Sequence, residues 1–431
     1  MAFTQALLSL LLSGALISAQ EPATPGLYAS MAVISDPHFF DPGLGKTGNS
    51  LGTDLNSAGK LISQSAELLE AAIGQILTSN VGIVLIPGDL TKDGALKSHL
   101  GMADHLENLK ANGVKVFVVP GNHDVNNGRA YSFQGDQTER VPNVKPSKFS
   151  EIYGPYGYDD AIFKDSASLS YIAEPVEGLW IIGLDDCLYL SNDSIAHSET
   201  GGELGKAQRK WLESILQSDV AAQKTKVVLM HHGILEHFQT QNKHFGDYVV
   251  KDHKKHSTWL ASLGVQIVFT GHFHANDITL HQWRDGSFLF DIETGSLVTY
   301  PCPIRKIILK GDSLEINTEH ILSIPSMENG LQEYARKSVS QGASDIAAKT
   351  MLRYKLNPED ADYLATQLGT LFSEHCLGDE PARNPAISLD GVSLWGRTMI
   401  LFRKRFIRGL TNDLPPADNR LTIHLQTGKY Y

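Results

Sequence analysis

The stretch "VFVVPGNHDV", residues 116–125, joins a run of strand-forming apolar residues to a polar turn. The run breaks at a Pro-Gly pair and then presents an amide, an imidazole and a carboxylate in consecutive positions, Asn122, His123 and Asp124. A single turn of this kind is most often a local structure in which Asn and Asp bond to nearby backbone. The pattern recurs along the chain, however, and the recurrence predicts a shared site.

Four other predicted strands also end in residues of metal-binding type. They are "VISDPH" with Asp36 and His38, "LIPGDL" with Asp89, "VLMHHG" with His231 and His232, and "VFTGHFH" with His272 and His274. The carboxyl ends of strands in α/β sheets meet where ligand crevices form. Because extended backbone sends alternate side chains to the same side, the Asp-x-His and His-x-His pairs are suited to chelation. Five segments together predict one metal centre.

Because histidines occupy both positions 231 and 232, the pattern does not decide which of them is the metal ligand. Neighbouring residues of a strand point to opposite sides, so both rings cannot face the centre. We predict His231 as the ligand, with His232 as the alternative. Glycines directly precede three of the polar blocks, at positions 88, 121 and 271, where a missing Cβ allows a sharp turn and close packing.

Strands alternate with helices over the first two thirds of the chain. Helical patterns around residues 56–80, 95–110, 205–217 and 254–262 are each followed by a predicted strand, which favours an α/β fold. Residues 277–317 instead indicate consecutive antiparallel strands, so two sheets are expected. From about Ser326 the residues become helix formers and predict a smaller helical C-terminal domain.

Composition narrows the range of partners. The 431 residues include 42% hydrophobic and 20% charged side chains, which is typical of globular proteins. The formal net charge of −11 argues against binding duplex nucleic acid or anionic membrane surfaces. An anionic small substrate would need a local positive source.

Residues 1–19 are uncharged and Leu-rich and end in Ile-Ser-Ala, which predicts a signal peptide and export to the periplasm or the medium. A retained N-terminal anchor is the alternative, and no later stretch is expected to span a membrane. The three cysteines, Cys187, Cys302 and Cys376, are widely spaced, so at most one disulfide could form and buried thiols are the favoured interpretation. The sequence does not indicate an oligomeric state.

The ordered blocks Asp36-Pro37-His38, Gly88-Asp89, Gly121-Asn122-His123-Asp124, His231 and Gly271-His272-Phe273-His274 resemble those of the calcineurin-like metallophosphoesterase superfamily. The resemblance implies a four-layer αββα sandwich over residues 28–322, followed by a helical C-terminal domain over 326–410. Within the superfamily, "PGDLTKDG", "VVPGNHDVNN" and "DIETGSLVTYPCP" resemble bacterial cyclic-nucleotide-phosphodiesterase-type members that carry a helical C-terminal domain.

The same resemblance implies two divalent metal ions. The ligands of the first would be Asp36, His38, Asp89 and His274, and those of the second Asp89, Asn122, His231 and His272, with Asp89 bridging. Imidazole ligands favour Mn or Fe, with Zn or Ni as alternatives, over Mg or Ca. Two dications exceed the charge of two carboxylates and a hydroxide, leaving about one positive charge to attract a phosphate ester.

The implied mechanism is attack by a metal-bridging hydroxide with His123 as general acid at the leaving group. Asp124 is predicted to orient or charge that imidazole, and Asp93 competes for the role. Lys92 occupies the position at which purple acid phosphatases have a ligand tyrosine, which disfavours that branch. GNHD in place of GNHE likewise disfavours the Ser/Thr protein phosphatases.

The sequence therefore predicts a metal-dependent phosphoesterase, with a phosphodiesterase acting on small nucleotides, including cyclic ones, as the leading interpretation. A phosphomonoesterase is the alternative, and a non-catalytic metal-binding module is an alternative of another class. The basic and apolar segment "RTMILFRKRFIRG" indicates a helix docked on the catalytic domain, with a membrane-surface or partner contact as the other option. Phe39 and Phe40 are expected to pack in the core. His237, His244, His253 and His256 are expected on solvated loops or helix faces.

Overall fold

The computed structural model describes residues 26–45, 59–134, 137–195, 197–381 and 385–431. The predicted signal peptide, residues 1–19, lies outside these ranges. The strands are β1 Tyr28–Val33, β2 Ile83–Ile86, β3 Lys115–Val118, β4 Tyr131–Gln134, β5 Gln137–Arg140, β6 Ala161–Lys164, β7 Tyr171–Val176, β8 Leu179–Gly183, β9 Thr225–Leu229, β10 Ile267–Thr270, β11 Asp277–Gln282, β12 Phe288–Glu293, β13 Pro303–Lys310, β14 Ser313–His320, β15 Arg420–His424 and β16 Lys429–Tyr430.

Most of the predicted helices begin and end close to the predicted positions, but the helix Ser65–Leu77 begins nine residues after the predicted start at residue 56. They are α1 Ser65–Leu77, α2 Leu96–Ala111, α3 Pro146–Ile152, α4 Asn192–Ile195, α5 Lys206–Leu216, α6 Asp219–Ala222, α7 Gln241–His244, α8 His253–Ser262, α9 Leu331–Arg353, α10 Pro358–Leu377 and α11 Leu394–Gly409. Local residues fix the start of α10. Pro358 occupies its first turn, and the Asn357 side chain accepts a hydrogen bond from the Asp360 amide at 2.8 Å.

Two sheets of seven described strands each form the centre of the molecule. The first has the order β16-β15-β14-β13-β1-β2-β3 and the second β11-β12-β10-β9-β8-β7-β6. Alternate residues of β8 point to opposite faces of the second sheet. Ile181 belongs to the core shared by the two sheets, and Ile182 belongs to the core beneath α5 and α8. Helices α1 and α2 pack against the first sheet. The layer order helix, sheet, sheet, helix confirms the predicted sandwich.

The strands predicted over residues 277–317 are present, but they do not form one antiparallel set. β11 pairs with β12 in the second sheet, whereas β13 pairs with β14 in the first. The expectation of consecutive pairing was wrong at the step from β12 to β13. Alternating hydrophobicity predicts strands but does not specify their partners, which depend on how the chain crosses between sheets.

The C-terminal part of the chain is helical and then returns to the first sheet. Helices α9, α10 and α11 share a separate apolar cluster that includes Leu364, Leu371 and Ile407. Beyond them β15 pairs antiparallel with β14, placing Ile423 opposite Leu314. We did not predict these last two strands, and the domain limits 28–322 and 326–410 stay predictions.

Among the described residues, the structure confirms the burial of the two phenylalanines and of two of the three cysteines. Phe39 and Phe40 are buried in the core. Cys187, Cys302 and Cys376 are free thiols, and the latter two are buried. No helix among the described residues is long and apolar enough to cross a membrane.

Candidate metal centre and active site

The seven predicted ligands meet at the carboxyl ends of parallel strands from both sheets. β1, β2 and β3 supply ligands from one sheet, and β9 and β10 supply them from the other. Two groups of ligand atoms lie close enough to hold an ion each: Asp36, His38, Asp89 and His274 form the first cluster, and Asp89, His231 and His272 form the second. Asp89 belongs to both, as a bridging carboxylate would.

The geometry of the first cluster fits a cation. His38 Nε2 lies 3.3 Å from His274 Nε2 and 3.6 Å from Asp89 Oδ2, and His274 Nε2 lies 3.4 Å from Asp36 Oδ1. Burial lowers the pKa of both histidines, so the rings are neutral and each can offer a lone pair. Asp36 Oδ1 is buried and has no hydrogen-bond partner. Converging lone pairs of this kind repel one another unless a cation is shared between them.

In the second cluster the outer hydrogen bonds select the ligating nitrogens. His231 Nδ1 donates to the Pro87 carbonyl oxygen at 2.8 Å, so Nε2 is the nitrogen directed at the cluster, 3.2 Å from Asn122 Oδ1 and 3.5 Å from Asp89 Oδ1. His272 Nε2 donates to the Asp247 carbonyl oxygen at 3.3 Å. Burial lowers the pKa of His272 well below its ordinary value. Carboxylate, amide oxygen and neutral imidazole form a donor set suited to first-row transition metals.

The neighbouring His232 takes part in different contacts. Its Nδ1 lies 3.0 Å from Asp186 Oδ2 and its Nε2 lies 2.8 Å from the Thr200 carbonyl oxygen. Burial alone would lower the pKa of His232, but the Asp186 carboxylate outweighs it and raises that pKa. Both ring nitrogens are therefore occupied, and the structure places His231 rather than His232 beside Asp89.

Backbone conformation at the centre is strained. Five ligand residues that are not glycine have φ in the left-handed region: Asp36 at 47°, His38 at 39°, Asp89 at 46°, His272 at 71° and His274 at 68°. Each such residue costs about 1–3 kcal/mol and persists only where the surrounding structure enforces it. Two motif glycines contribute to that enforcement, because a Cβ on Gly121 would overlap the Asp89 backbone and one on Gly271 would overlap Ser35 and Asp36.

His123 stands beside the first cluster and faces a cavity of about 970 Å³. Its Nδ1 lies 3.1 Å from Asp93 Oδ1, and 27% of its side-chain surface is exposed. Burial by itself would lower the pKa of His123, but the Asp89 and Asp93 carboxylates outweigh it and raise that pKa. The pKa of Asp93 is in turn lowered to about 2, because the bonds from His123 and Lys92 exceed the effect of burial. The His123 ring can thus carry a proton while it lines the cavity.

Asp124 does not orient His123, and this part of the prediction was wrong. Its carboxylate instead accepts hydrogen bonds from the backbone amides of Leu90 at 3.0 Å, Thr91 at 2.9 Å and Gly121 at 2.8 Å. The turn directs this side chain beneath the loop that carries Asp89. Burial, together with the Asp89 charge, raises the pKa of Asp124 to about 7. Asp93, the competing residue, makes the contact with His123.

The calcineurin-like phosphoesterase family model matches residues 29–276, which is more than half of the chain. The chain belongs to the calcineurin-like phosphoesterase family. It is accordingly a metal-dependent phosphoric ester hydrolase, and the Asp and His clusters are the corresponding candidate site for divalent ions. No curated protein matches the sequence.

Solved structures similar to this phosphoesterase are distant in sequence. A dimetal phosphatase from Danio rerio is 16% identical, with 68% of this chain and 96% of that chain covered and a TM-score of 0.47. A purple acid phosphatase from yellow lupin (Lupinus luteus) seeds is 13% identical, with 72% and 54% covered and a TM-score of 0.40. A 5'-nucleotidase precursor from Thermus thermophilus is 12% identical, with 75% and 59% covered and a TM-score of 0.34. Similarities at this level support no statement about the substrate.

The phosphoesterase site also contains a residue that the motifs do not reveal. Lys60 Nζ lies 2.8 Å from His38 Nε2 and lines the cavity beside the first cluster. The amine of Lys60 thus adds a hydrogen-bond donor to the wall of the cavity. Nothing in the sequence marks Lys60, because it belongs to no motif and precedes α1 as one lysine among many.

A second group of titratable residues was also missed, because its histidine was expected at the surface. His237 was expected on a solvated loop, but it is buried, as are His253 and His256. His237 Nδ1 lies 2.8 Å from Asp277 Oδ1. Its Nε2 lies 3.2 Å from Asp291 Oδ2 and 3.4 Å from Glu293 Oε2. The partners belong to β11 and β12, so only the folded chain brings them to His237. The expectation was wrong for these three histidines.

Proposed function

We propose that this phosphoesterase hydrolyses phosphodiesters, with His123 as the general acid. The observation that carries the proposal is the cavity of about 970 Å³, which begins at both metal clusters and His123 and continues beyond them. A phosphodiester has two organic arms, and the space beyond the clusters allows one arm to remain bound while the other leaves. A phosphomonoester would use the same ligands but would need much less of this volume.

The residues that would hold the metals follow from the clusters. Asp36, His38, Asp89 and His274 would bind one ion, and Asp89, Asn122, His231 and His272 the other. When bound, two divalent ions supply a hydroxide nucleophile near neutral pH and stabilise negative charge on the phosphate oxygens. We propose Mn or Fe, and the same donors accept Zn or Ni.

The chain's own contribution to the reaction is proton delivery and positioning. The oxygen of one water becomes bonded to phosphorus, and the bond between phosphorus and the leaving oxygen breaks. His123 donates its Nε2 proton to that oxygen, and the proton that the attacking water releases to solvent balances the one that returns to the ring. A diester with two separate arms gives a phosphate monoester and an alcohol, and a cyclic diester gives one ring-opened monoester. Asp93 accepts a hydrogen bond from Nδ1 at 3.1 Å and keeps the ring charged and aimed. Lys60 adds positive charge beside the phosphate.

The resemblance of the sequence motifs supports a small cyclic nucleotide as the substrate. The aromatic side chains beside the candidate metal site are consistent with a substrate that carries a planar ring. Tyr248 stacks on His272 with ring centroids 4.6 Å apart, and Phe245 and Phe273 line the same part of the cavity. Such rings can pack against a nucleobase. We also propose export of the protein, on the basis of residues 1–19.

The test compares bis-p-nitrophenyl phosphate with p-nitrophenyl phosphate as substrates of Mn(II)-reconstituted protein. We expect the diester to have the higher kcat/KM. Asp89→Asn should reduce both activities by at least about 10³-fold and lower the bound metal, because both clusters lose a charged ligand. Asp285→Asn, on an exposed turn, is the matched control. Preference for the monoester would indicate a phosphomonoesterase, and metal binding without any cleavage would indicate a non-catalytic module.

A further inference from the structure

The cavity beside the metal clusters extends into the C-terminal helices. We call this part the apolar chamber. It is lined by α9 and its C-cap from Val339 to Tyr354, by α10 from Leu368 to Cys376, and by α11 and its C-cap from Trp395 to Leu410. The same continuous cavity is lined by Asp89, His123 and the other metal-site residues at its opposite end.

The lining residues recur every three or four positions, so each helix presents one face to the chamber. On α9 the lining spans 16 residues, whose 15 helical steps correspond to a wall about 22 Å long. The α11 wall has the same length and includes Met399 and Phe406. Most of these side chains are apolar, so the walls offer few partners for sugar hydroxyls or for the edge of a base.

Apolar helix faces normally close on one another, because protein interiors pack as densely as organic crystals. Here three such faces surround an open volume instead. The chamber reaches the surface at Phe402 and Trp395, which are 81% and 49% exposed. A large apolar space of this kind, continuous with a catalytic site, is the form expected of a binding site for an apolar ligand.

We infer that the apolar chamber binds the apolar arm of an amphiphilic phosphodiester whose phosphate lies at the metal clusters. The inference rests on the proposed phosphodiesterase activity, and it replaces the small cyclic nucleotide with a lipid-like ester as the substrate class. The phosphate end is recognised by the clusters, Lys60 and His123, and the other arm is recognised by burial of its methylene groups. Arg403 Nη1 lies 3.3 Å from His244 Nδ1 and thereby links α11 to α7, next to Phe402 where the chamber reaches the surface.

A chromogenic series separates this substrate class from nucleotides. Methyl, butyl, hexyl and octyl p-nitrophenyl phosphates are compared with the p-nitrophenyl ester of thymidine 5'-phosphate, all below the concentrations at which they aggregate. We expect kcat/KM to rise about threefold for each methylene buried in the chamber. The octyl ester should exceed both the methyl ester and the nucleotide ester by more than about 100-fold.

Neighbouring positions on α11 provide a matched pair of variants. Ile400 lines the chamber, whereas Leu401 does not and is 67% exposed. Ile400→Trp should lower the ratio of octyl to methyl kcat/KM at least tenfold, and Leu401→Trp should keep the wild-type ratio. If Ile400→Trp fails to fold, as judged by its Tm, Ala347→Phe on the α9 wall provides the same test.

The outcomes distinguish failure of this inference from failure of the proposed function. Equal rates along the alkyl series, or faster cleavage of the nucleotide ester, would overturn the inference while leaving a phosphodiesterase. The inference would also be overturned if both tryptophan variants kept the wild-type ratio. If no diester, including the methyl ester, were cleaved by metal-loaded protein, the proposed function would fall together with the inference.

Discussion

His123 and His237 have the same partner chemistry and opposite surroundings. Each ring places Nδ1 beside an Asp carboxylate, Asp93 at 3.1 Å and Asp277 at 2.8 Å, and in each case the carboxylates raise the histidine pKa against the effect of burial. The difference lies in what surrounds the rest of each ring. His123 lines the cavity and 27% of its side chain is exposed, whereas Nε2 of His237 faces Asp291 and Glu293 and that residue is only 3% exposed.

The comparison shows that a histidine and aspartate pair is not by itself a sign of catalysis. A charged imidazole can donate its second proton to a substrate only if that nitrogen reaches the substrate. When the second nitrogen is enclosed by further carboxylates, the same charge holds strands together. We therefore expect His123 to govern turnover and His237 to govern stability, and the following predictions test that division.

The largest effect is expected from His123→Gln. Cleavage of a diester with an alkoxide leaving group should fall by about 10²–10⁴-fold, because the leaving oxygen loses its proton donor. Cleavage of a p-nitrophenyl ester should fall much less, since p-nitrophenolate leaves without a proton. Steady-state kinetics on both esters measure this, with His281→Gln on the exposed end of β11 as the control. An equal loss on both esters would assign His123 a structural role.

For His237→Gln we expect a loss of stability instead. Removing one partner from a buried charge cluster costs about 3–5 kcal/mol of unfolding free energy, because Asp277 and Asp291 lose their counter-charge. Urea denaturation monitored by circular dichroism measures the change. The kcat of the folded, metal-loaded variant should remain within about twofold of wild type. An unchanged denaturation midpoint would contradict the assigned role.

The stability of the wild-type protein should also depend on pH through this cluster. The pKa of His237 is raised well above 6.5, because Asp291, Asp277 and Glu293 outweigh burial. The folded state therefore retains a proton that the unfolded state releases above pH 6.5. The stabilisation is complete below that pH and is lost as the pH rises toward the folded pKa, by up to about 1.4 kcal/mol per unit. Denaturation across pH 6–9 should show this slope in the wild type and a flatter one in His237→Gln.

The smallest effect is expected from Asp93→Asn. Loss of the orienting carboxylate should reduce kcat for the alkoxide ester about tenfold. It should also lower the pKa of His123, so that the basic limb of the pH-rate profile moves to lower pH. Asp277→Asn is the matched change at His237, and it should reduce stability with little effect on the profile. A basic limb that stayed in place in Asp93→Asn would show that another group sets the charge of His123.

The site could be anticipated from the sequence to the extent that it is built from local pattern. Asp36, Asp89, Asn122, His231 and His272 each follow a recognisable strand, and strand ends in such sheets converge without further information. The glycines at 121 and 271 carried a second local signal, since a Cβ at either position would overlap the residues that the motifs bring together. Asp124, although part of the motif, was assigned the wrong contact because sequence does not give the direction of a side chain in a turn.

What the sequence by itself determined is therefore the alternation of strands and helices, which follows from periodicity, and the set of residues that gather at the strand ends, which follows from short motifs. The resemblance carried by those motifs implied the family and the layer order of the sandwich. Only the tertiary structure decided that Asp93 rather than Asp124 supports His123, that Lys60 reaches the first cluster, and that His237 is enclosed by β11 and β12. It also decided that three helix faces leave an open chamber beside the metals. These features depend on contacts between segments far apart in the chain, and no local pattern records which distant residues will meet.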